Sequence, residues 1–216
     1  MTKSNQTSGQ RLLLLGASGA VGSQVLALAS ADERVAQIVA PSRRALGAAP
    51  KLMNPVMDFA QDELDADWLN VDSVVCALGT TLREAGSQAA FAFVDRDLPV
   101  RFAKLAHQHG AKSFALNSSL GASPKANFYL KTKAQAEAAI AALGFESYTV
   151  VRPSLIDAVR EKSRPGEVIG LAVARVFQPL IPARYRPVSA KKIAQALLDA
   201  ALQGKPGHRV IESDAL

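Results

Sequence analysis

Residues 12 to 22 read Leu12-Leu13-Leu14-Leu15-Gly16-Ala17-Ser18-Gly19-Ala20-Val21-Gly22, an apolar run that passes into three evenly spaced glycines. Such a run is typical of a buried strand followed by a turn and a helix. Gly16 would permit a tight turn, Gly19 would let the backbone approach a pyrophosphate, and Gly22 would let the helix pack closely. Free N–H groups at the helix start would hold the anion. The segment predicts a dinucleotide-binding turn, with a glycine-rich turn that binds no ligand as the alternative.

The rest of the chain alternates short apolar runs with longer amphipathic or alanine-rich stretches. Buried strands are predicted at Leu12–Leu15, Val35–Ala40, Pro55–Asp58, Ser73–Leu78, Ser113–Leu116 and Ser147–Val151. Helices are predicted at Val21–Ser30, Gln88–His109, Tyr129–Leu143 and Ala190–Leu202. Strands of a parallel sheet that is covered on both faces are continuously apolar. The pattern therefore predicts an α/β fold with a doubly wound parallel sheet of the Rossmann type.

The domain organisation follows from length and from the distribution of proline. Residues 1–10 are polar and are expected to form a flexible N-terminus without a secretory signal. Residues 11–216 are expected to form a single NAD(P)-binding domain. Beyond residue 152 prolines cluster, so residues 153–190 predict a small C-terminal lobe over the carboxyl edge of the sheet, where open α/β sheets bind ligands.

No apolar segment is long enough to be a transmembrane segment. The longest, about residues 168–181, could wall a substrate pocket, pack in a dimer or touch a membrane surface. We therefore expect a soluble, cytoplasmic protein.

Composition restricts the chemistry. The 216 residues include one cysteine and three histidines, which leaves little material for a metal site, so no metal is expected. Lys and Arg number 25 against 19 Asp and Glu, for a net charge of +6. These basic residues are scattered, which is typical of a solvated surface and argues against nucleic acid as a partner. A phosphorylated cofactor is the better anionic partner.

The residues after the second predicted strand distinguish NADP from NAD. An NAD site usually carries a carboxylate there to bind the ribose 2′-hydroxyl. This chain has Ser42-Arg43-Arg44 instead, and two guanidinium groups can hold a 2′-phosphate. NADP(H) is thus favoured over NAD(H), with two surface arginines in a loop as the alternative. Asp58, at the end of the third predicted strand, could reach the adenine, and Leu78-Gly79-Thr80 after the fourth could run along the cofactor.

Tyr129 and Lys133 are four residues apart on a predicted helix and share one face of it. An ammonium beside a phenol favours the phenolate, which suits the tyrosine to exchange a proton with a carbonyl oxygen. Asn117-Ser118-Ser119 closes the fifth strand ten to twelve residues upstream and supplies a hydroxyl for the same oxygen. A Tyr-x-x-x-Lys spacing without a catalytic role is the alternative.

Taken together, the glycine turn, the Asn-Ser-Ser segment, the Tyr-x-x-x-Lys pair and Val151-Arg152-Pro153 resemble those of the atypical and extended short-chain dehydrogenases/reductases. Three further segments look like the Tat-interacting oxidoreductase-like branch and its bacterial relatives: Cys76-Ala-Leu-Gly-Thr-Thr81, Phe91-x-x-Val-Asp95-x-Asp97 and Ser118-Ser-Leu-Gly-Ala122. The resemblance runs from about residue 11 to 204 and implies a NAD(P)-binding Rossmann fold.

The resemblance also implies roles for individual residues. Tyr129 would be the general acid/base, and Lys133 would hold the nicotinamide ribose and stabilise the phenolate. Ser119, or its neighbour Ser118, would bond the substrate carbonyl. The backbone near Arg152 would lie against the nicotinamide.

Two sets of site residues follow from the motifs and the resemblance. The catalytic residues are expected to be Ser119, Tyr129 and Lys133. The cofactor-binding residues are expected to be Gly16, Ser18, Gly19, Ala20, Val21, Gly22, Ser42, Arg43, Arg44, Asp58, Leu78, Gly79, Thr80, Asn117, Lys133, Arg152 and Pro153. Asp95 and Asp97 could pair with arginines on the long helix or lie near the site, and the structural role is favoured.

The predicted activity is NADP(H)-dependent reduction of a small carbonyl compound, or oxidation of an alcohol. A non-catalytic NADP(H)-binding sensor that regulates a protein partner is the alternative. A nucleotide-sugar epimerase or dehydratase is a third candidate, which the short C-terminal lobe disfavours. Self-association into a homo-oligomer and binding of a regulatory protein stay open.

Overall fold

A computed structural model describes residues 9–60, 67–157 and 182–216. Its strands in chain order are β1 (Gln10–Leu15), β2 (Val35–Val39), β3 (Leu52–Met53), β4 (Ser73–Cys76), β5 (Ser113–Asn117), β6 (Ser147–Arg152), β7 (Ile156–Asp157), β8 (Val188–Ser189) and β9 (Gly207–Glu212). Seven of these form one parallel sheet in the order β3-β2-β1-β4-β5-β6-β9, and β7 pairs with β8 in a separate parallel sheet. The chain order reverses between β1 and β4, which is where doubly wound sheets bind their ligands.

The helices of the described ranges lie on both faces of the large sheet. They are α1 (Ala20–Ala31), α2 (Leu82–Ala85), α3 (Gln88–Ala92), α4 (Leu98–Gln108), α5 (Phe128–Ala141) and α6 (Ala190–Gln203). A π-helical turn, Phe93–Asp97, joins α3 to α4, so the helix predicted at Gln88–His109 is continuous but changes its hydrogen bonding in the middle. The predicted α/β fold with a doubly wound parallel sheet is confirmed.

The four leucines of β1 show why the strands read as continuous apolar runs. Leu12 and Leu14 belong to the core beneath α1 and α6, whereas Leu13 and Leu15 belong to the core beneath α4 and α5. Side chains alternate between the two faces of a strand, and both faces are covered here. All four leucines are consequently buried.

Two strands differ from the sequence-based prediction. The third lies at Leu52–Met53, so the prediction of Pro55–Asp58 was wrong. The side-chain amide of Asn54 donates to the Ala40 carbonyl at 2.6 Å, and Pro55 has no N–H to donate. The hydrogen-bond ladder between β2 and β3 therefore ends there, and an isolated bridge between Ser42 and Val56 follows it. The last strand, β9, was not predicted, because it lies at the sheet edge and mixes polar residues with Val210 and Ile211, so it shows no continuous apolar run.

Some predicted features lie outside the described residues. These are the N-terminus at residues 1–8, the apolar segment 168–181, and most of the C-terminal lobe predicted at 153–190. Only the two ends of that lobe are described, and there β7 pairs with β8 next to a short 3-10 turn, Ala183–Tyr185. The lobe as a unit stays a prediction. Across the described ranges, we find no helix whose length and apolar character would let it span a bilayer.

Candidate active site

The glycine turn between β1 and α1 is built by close backbone contacts. Gly16 has a φ of +82°, and a Cβ atom there would lie 2.7 Å from the Ala77 carbonyl oxygen after β4. A Cβ at Gly22 would lie only 2.0 Å from the Gly16 carbonyl oxygen, so α1 packs directly onto the turn. Both positions therefore require glycine.

The start of α1 is open to an anion. Gly19 is the N-cap and offers no side-chain hydrogen bond, and the first turn of α1 contains no acidic residue. Ser18, Gly19 and Ala20 are exposed, whereas Val21 and Gly22 are buried. The first N–H groups of a helix have no partner within the helix, and a phosphate supplies one. The turn thus fits the diphosphate of a dinucleotide.

The loop after β2 is fixed by one buried serine. The Ser42 hydroxyl donates to the Arg44 carbonyl at 2.7 Å and accepts from the Asn54 side-chain amide at 2.8 Å. Arg43 and Arg44 are exposed, and neither guanidinium has an ionic or hydrogen-bonding partner among the described residues. Two unpaired cations on a fixed loop fit a phosphate group. Asp58, further along the chain after β3, is also exposed, and its carboxylate accepts the Ala60 N–H at 3.0 Å.

The loop after β4 contacts a buried ion pair. Asp95, in the π-helical turn, accepts the Thr80 N–H at 2.9 Å and lies 2.7 Å from the Lys133 ammonium. A Cβ at Gly79 would lie 3.6 Å from the Asp95 carboxylate and 3.7 Å from the Lys133 nitrogen. This pair therefore connects three elements: the predicted cofactor loop Leu78-Gly79-Thr80, the π-helical turn and α5.

Charge balance maintains Lys133 as an ammonium. Burial is the largest single influence and lowers the pKa of Lys133, but the Asp95 carboxylate, together with Tyr129 and Cys76, more than offsets burial and raises that pKa above its ordinary value. Burial raises the pKa of Asp95, while attraction to Lys133 and the Thr80 N–H oppose that shift. Each charge is thus stabilised mainly by the other.

Tyr129 and Ser119 line the same cleft, which has a volume of about 750 Å³. Tyr129 lies in the first turn of α5, which begins where the Asn127 side chain accepts the Leu130 N–H at 3.0 Å. Its ring packs 5.3 Å from that of the fully buried Phe91, centroid to centroid. The structure therefore brings together a phenol and a hydroxyl in one cleft, with Lys133 one turn further along α5.

Ser118 and Arg152 take part in a different network. The Ser118 hydroxyl donates to the buried Glu137 carboxylate. Arg152 also contacts Glu137, at 2.5 Å, and reaches Glu212 at 3.2 Å. Because these side-chain groups already have protein partners, Ser119 is the better candidate for a substrate hydrogen bond.

Two other predicted residues lie at the carboxyl ends of neighbouring strands. Asn117 ends β5 and is buried, and its side-chain oxygen has no hydrogen-bond partner within the described part of the chain. An unpaired buried amide oxygen is costly and fits a polar ligand at this edge. Pro153 follows β6 and lines the cleft.

The sequence did not predict the partner of Asp95. Asp97 does pair with an arginine, Arg96, at 2.7 Å, but Asp95 pairs with the candidate lysine instead. Asp95 lies four residues after the buried Phe91, and this spacing could have indicated that Asp95 is buried on the same helix face. Nowhere in the described ranges do three or more His, Cys, Asp or Glu side chains group as metal ligands.

Comparisons with known proteins agree on the family. A family model described as NAD(P)H-binding matches residues 16–204. The "Protein fmp52, mitochondrial" of Emericella nidulans is 36% identical over 173 residues, which cover 76% of this chain and 72% of that protein. The "Protein HTATIP2" of Rattus norvegicus is 36% identical over 162 residues, which cover 72% and 66%. The name of the first relative places it in mitochondria, whereas a cytoplasmic location is our expectation for this chain and stays a prediction.

Solved structures share the fold at low sequence identity. A 3-oxoacyl (acyl-carrier-protein) reductase from Agrobacterium tumefaciens C58, with NADP bound, has a TM-score of 0.70 at 14% identity, over 97% of this chain and 95% of that one. A UDP-Glc/GlcNAc 4-epimerase from Campylobacter jejuni has a TM-score of 0.64 at 14% identity, over 94% and 77%. These structures share the fold, and the family model and the two relatives confirm the resemblance that the motifs indicate: the chain belongs to the NAD(P)H-binding family of Rossmann-fold proteins.

Proposed function

We propose that this protein reduces a small carbonyl compound with NADPH, or oxidises the corresponding alcohol with NADP⁺, and that Ser119, Tyr129 and Lys133 are its catalytic residues. One observation carries the proposal: Ser119 and Tyr129 line a single cleft, while Lys133 lies on the same helix as Tyr129 beside Gly79. A proton donor, a hydrogen-bond donor and a buried cation are the groups that carbonyl reduction requires.

The residues that would hold the cofactor surround the carboxyl edge of β1, β2, β4 and β5. The turn from Gly16 to Gly22 would hold the diphosphate, and the loops near Asp58 and Gly79 would flank the adenine and the nicotinamide half. Asn117 and the backbone of Arg152-Pro153 would complete the nicotinamide side. When bound, the reduced nicotinamide supplies a hydride for the carbonyl carbon.

The preference for NADP(H) rests on the loop after β2. Arg43 and Arg44 are exposed and without partners in the described ranges, and Ser42 fixes the backbone between them and β2. Guanidinium groups bind phosphate oxygens through charge-assisted hydrogen bonds. A 2′-phosphate would therefore gain two contacts that a 2′-hydroxyl does not use.

The catalytic residues divide the work on the carbonyl oxygen. Ser119 donates a hydrogen bond to that oxygen, and Tyr129 transfers its phenolic proton to it. The Lys133 ammonium stabilises the phenolate that remains, and Asp95 balances the Lys133 charge in its buried position. Hydride acceptance and proton acceptance by the substrate together give the alcohol.

The test measures NADPH consumption with a panel of aldehydes and ketones, monitored as the loss of nicotinamide absorbance. Wild-type protein should turn over at least one class of carbonyl, and Tyr129→Phe should lose nearly all turnover while its NADPH affinity by calorimetry stays within about twofold. NADPH binding without turnover of any carbonyl would contradict the proposal and favour the non-catalytic sensor. Equal turnover by Tyr129→Phe would contradict the assignment of Tyr129.

A further inference from the structure

The outer wall of the cleft is apolar and solvent-exposed. Leu155, Ile156 and Tyr185 line it, with 73%, 40% and 58% of their surfaces exposed. They come from two separate chain segments, on either side of residues 158–181. Large apolar side chains that are exposed side by side typically mark a binding groove.

Several polar side chains of the cleft already have protein partners. The Ser154 hydroxyl donates to the Arg186 carbonyl, and the Ser118 hydroxyl donates to Glu137. Among the described lining residues, the hydroxyls of Ser119, Tyr129 and Tyr185 have no hydrogen-bond partner. Ser119 and Tyr129 are the proposed catalytic pair, so beyond them the described wall offers a ligand one free hydroxyl, that of Tyr185, beside the apolar side chains of Leu155 and Ile156.

The charges of the described wall are balanced. Arg184 lines the cleft, but its guanidinium lies 3.6 Å from the Glu212 carboxylate. Arg152, behind the wall, lies between Glu212 and Glu137. A diphosphate or a carboxylate in this cleft would have to compete with these acidic side chains for the same cations. The wall therefore favours an uncharged ligand.

We infer that the cleft binds an uncharged aldehyde or ketone with an extended apolar chain, whose carbonyl meets Ser119 and Tyr129 and whose chain lies along Leu155, Ile156 and Tyr185. This inference rests on the proposed function and names its substrate class. In the reduction of an aldehyde, the carbonyl carbon accepts a hydride with its electron pair from NADPH, and the oxygen accepts the Tyr129 proton. The products are the primary alcohol and NADP⁺, and Tyr129 recovers its proton from solvent.

The inference predicts a dependence on chain length. Each methylene buried against an apolar wall strengthens binding by roughly two- to fourfold. The value of kcat/KM should accordingly rise from propanal through pentanal to octanal by about that factor per methylene, mostly through KM. A short polar aldehyde such as glyceraldehyde should not show the gain.

Two measurements test this. The first is steady-state kinetics with propanal, pentanal and octanal. The second is calorimetric binding of 1-octanol, octanoate and UDP-glucose to the protein without cofactor. Leu155→Ser should raise KM for octanal about fivefold or more and leave that for propanal unchanged. Val210→Ser is the matched control, because Val210 is exposed on β9 and does not line the cleft. We expect 1-octanol to bind at least tenfold more tightly than octanoate or UDP-glucose.

The outcomes separate this inference from the proposed function. Reduction of short or polar carbonyls with no gain per methylene would overturn the inference and leave the reductase proposal intact, as would tighter binding of octanoate or UDP-glucose than of 1-octanol. An equal KM increase for Leu155→Ser and Val210→Ser would also overturn it. Tight binding of 1-octanol without turnover of any carbonyl would support an apolar cleft and overturn the reductase proposal.

Discussion

The Asp95 carboxylate and the Lys133 ammonium lie 2.7 Å apart, and both side chains are almost completely buried. Removing two charges from water is costly, and mutual attraction compensates only when the geometry is good and further hydrogen bonds are made. Here the Thr80 N–H supplies one such bond to Asp95. The pair thereby fixes the loop after β4 relative to α5, the helix that carries Tyr129.

Replacement of one member of this pair should be costly. Asp95→Asn leaves the Lys133 ammonium buried without its counter-charge, so we expect a loss of roughly 3 kcal/mol in the free energy of unfolding. The pKa of Lys133 should fall, because burial then acts without Asp95. Urea unfolding measures the first effect, and the pH profile of kcat measures the second. The double variant Asp95→Asn/Lys133→Met should recover at least half of the stability that Asp95→Asn loses, but no turnover. If the stability losses of Asp95→Asn and of Lys133→Met alone add up in the double variant instead, the pair is not coupled.

The parts of the fold that the sequence could predict are those encoded by residues close together in the chain. The buried run Leu12–Leu15 and the glycine turn are encoded by neighbouring residues, so β1, α1 and the sheet type were predictable. Strand β9 lies at the sheet edge with one strand neighbour, and Val210 and Ile211 are its only large apolar residues, too few for a continuous apolar run. Its position depends on pairing with β6, which a local pattern does not contain.

The same reasoning applies to the candidate site. Tyr129 and Lys133 share a helix face at a spacing that the sequence shows directly. Asp95 meets Lys133 from a different helix, and Asn54 fixes the Ser42 loop from the segment that follows β3. Partners this far apart in sequence depend on how the elements pack against one another. The helix periodicity can therefore indicate that Asp95 is buried, but not which cation it faces.

Removing the arginines of the loop after β2 should change cofactor preference. Arg43→Ala/Arg44→Ala deletes two cations that lie beside the predicted 2′-phosphate position, and each charge-assisted bond contributes roughly 1.5 to 3 kcal/mol. We expect NADPH to bind at least about tenfold more weakly and NADH to bind about as before, as measured by calorimetry. Lys104→Ala/Lys205→Ala removes the same net charge from exposed positions elsewhere and should affect neither cofactor. Equal losses for NADPH and NADH would refute the 2′-phosphate role.

Gly22 provides a test of the turn, because helix propensity and packing predict opposite changes in stability when it is replaced by alanine. Alanine in place of glycine within a helix ordinarily stabilises by about 1 kcal/mol. At Gly22 the new Cβ would lie 2.0 Å from the Gly16 carbonyl oxygen, so the turn would have to shift. We therefore expect Gly22→Ala to lower the melting temperature and to abolish measurable NADPH binding. Gly47→Ala, where a Cβ would meet no atom within 4 Å, is the control and should retain binding. A more stable Gly22→Ala protein that still binds NADPH would show that this contact is not needed.

The two serines after β5 should separate stability from catalysis. Ser118→Ala removes a donor to the buried Glu137 carboxylate, so we expect a loss of roughly 1 to 3 kcal/mol in the free energy of unfolding with a small effect on kcat. Ser119→Ala should leave stability within about 0.5 kcal/mol. Its kcat should fall by about 10²-fold, because a hydrogen bond to the reacting oxygen is lost. Urea unfolding and steady-state kinetics on both variants give the comparison. The reverse pattern would transfer the catalytic role to Ser118.

The buried thiol of Cys76 gives a stability prediction with a definite sign. Burial raises the pKa of Cys76 to about 12, whereas an unfolded thiol titrates near 8.5. Between these values the folded protein binds more protons than the unfolded chain, so stability is lost as the pH rises, by up to about 1.4 kcal/mol per pH unit from this group. Cys76→Ala lacks this contribution, while Tyr148 and Lys133, whose pKa values are also raised, are present in both proteins. Urea unfolding at pH 7.5, 9.5 and 10.5 should therefore show wild type losing more stability than Cys76→Ala at each step. Parallel losses would mean that the Cys76 thiol ionises in the folded protein at the same pH as in the unfolded chain.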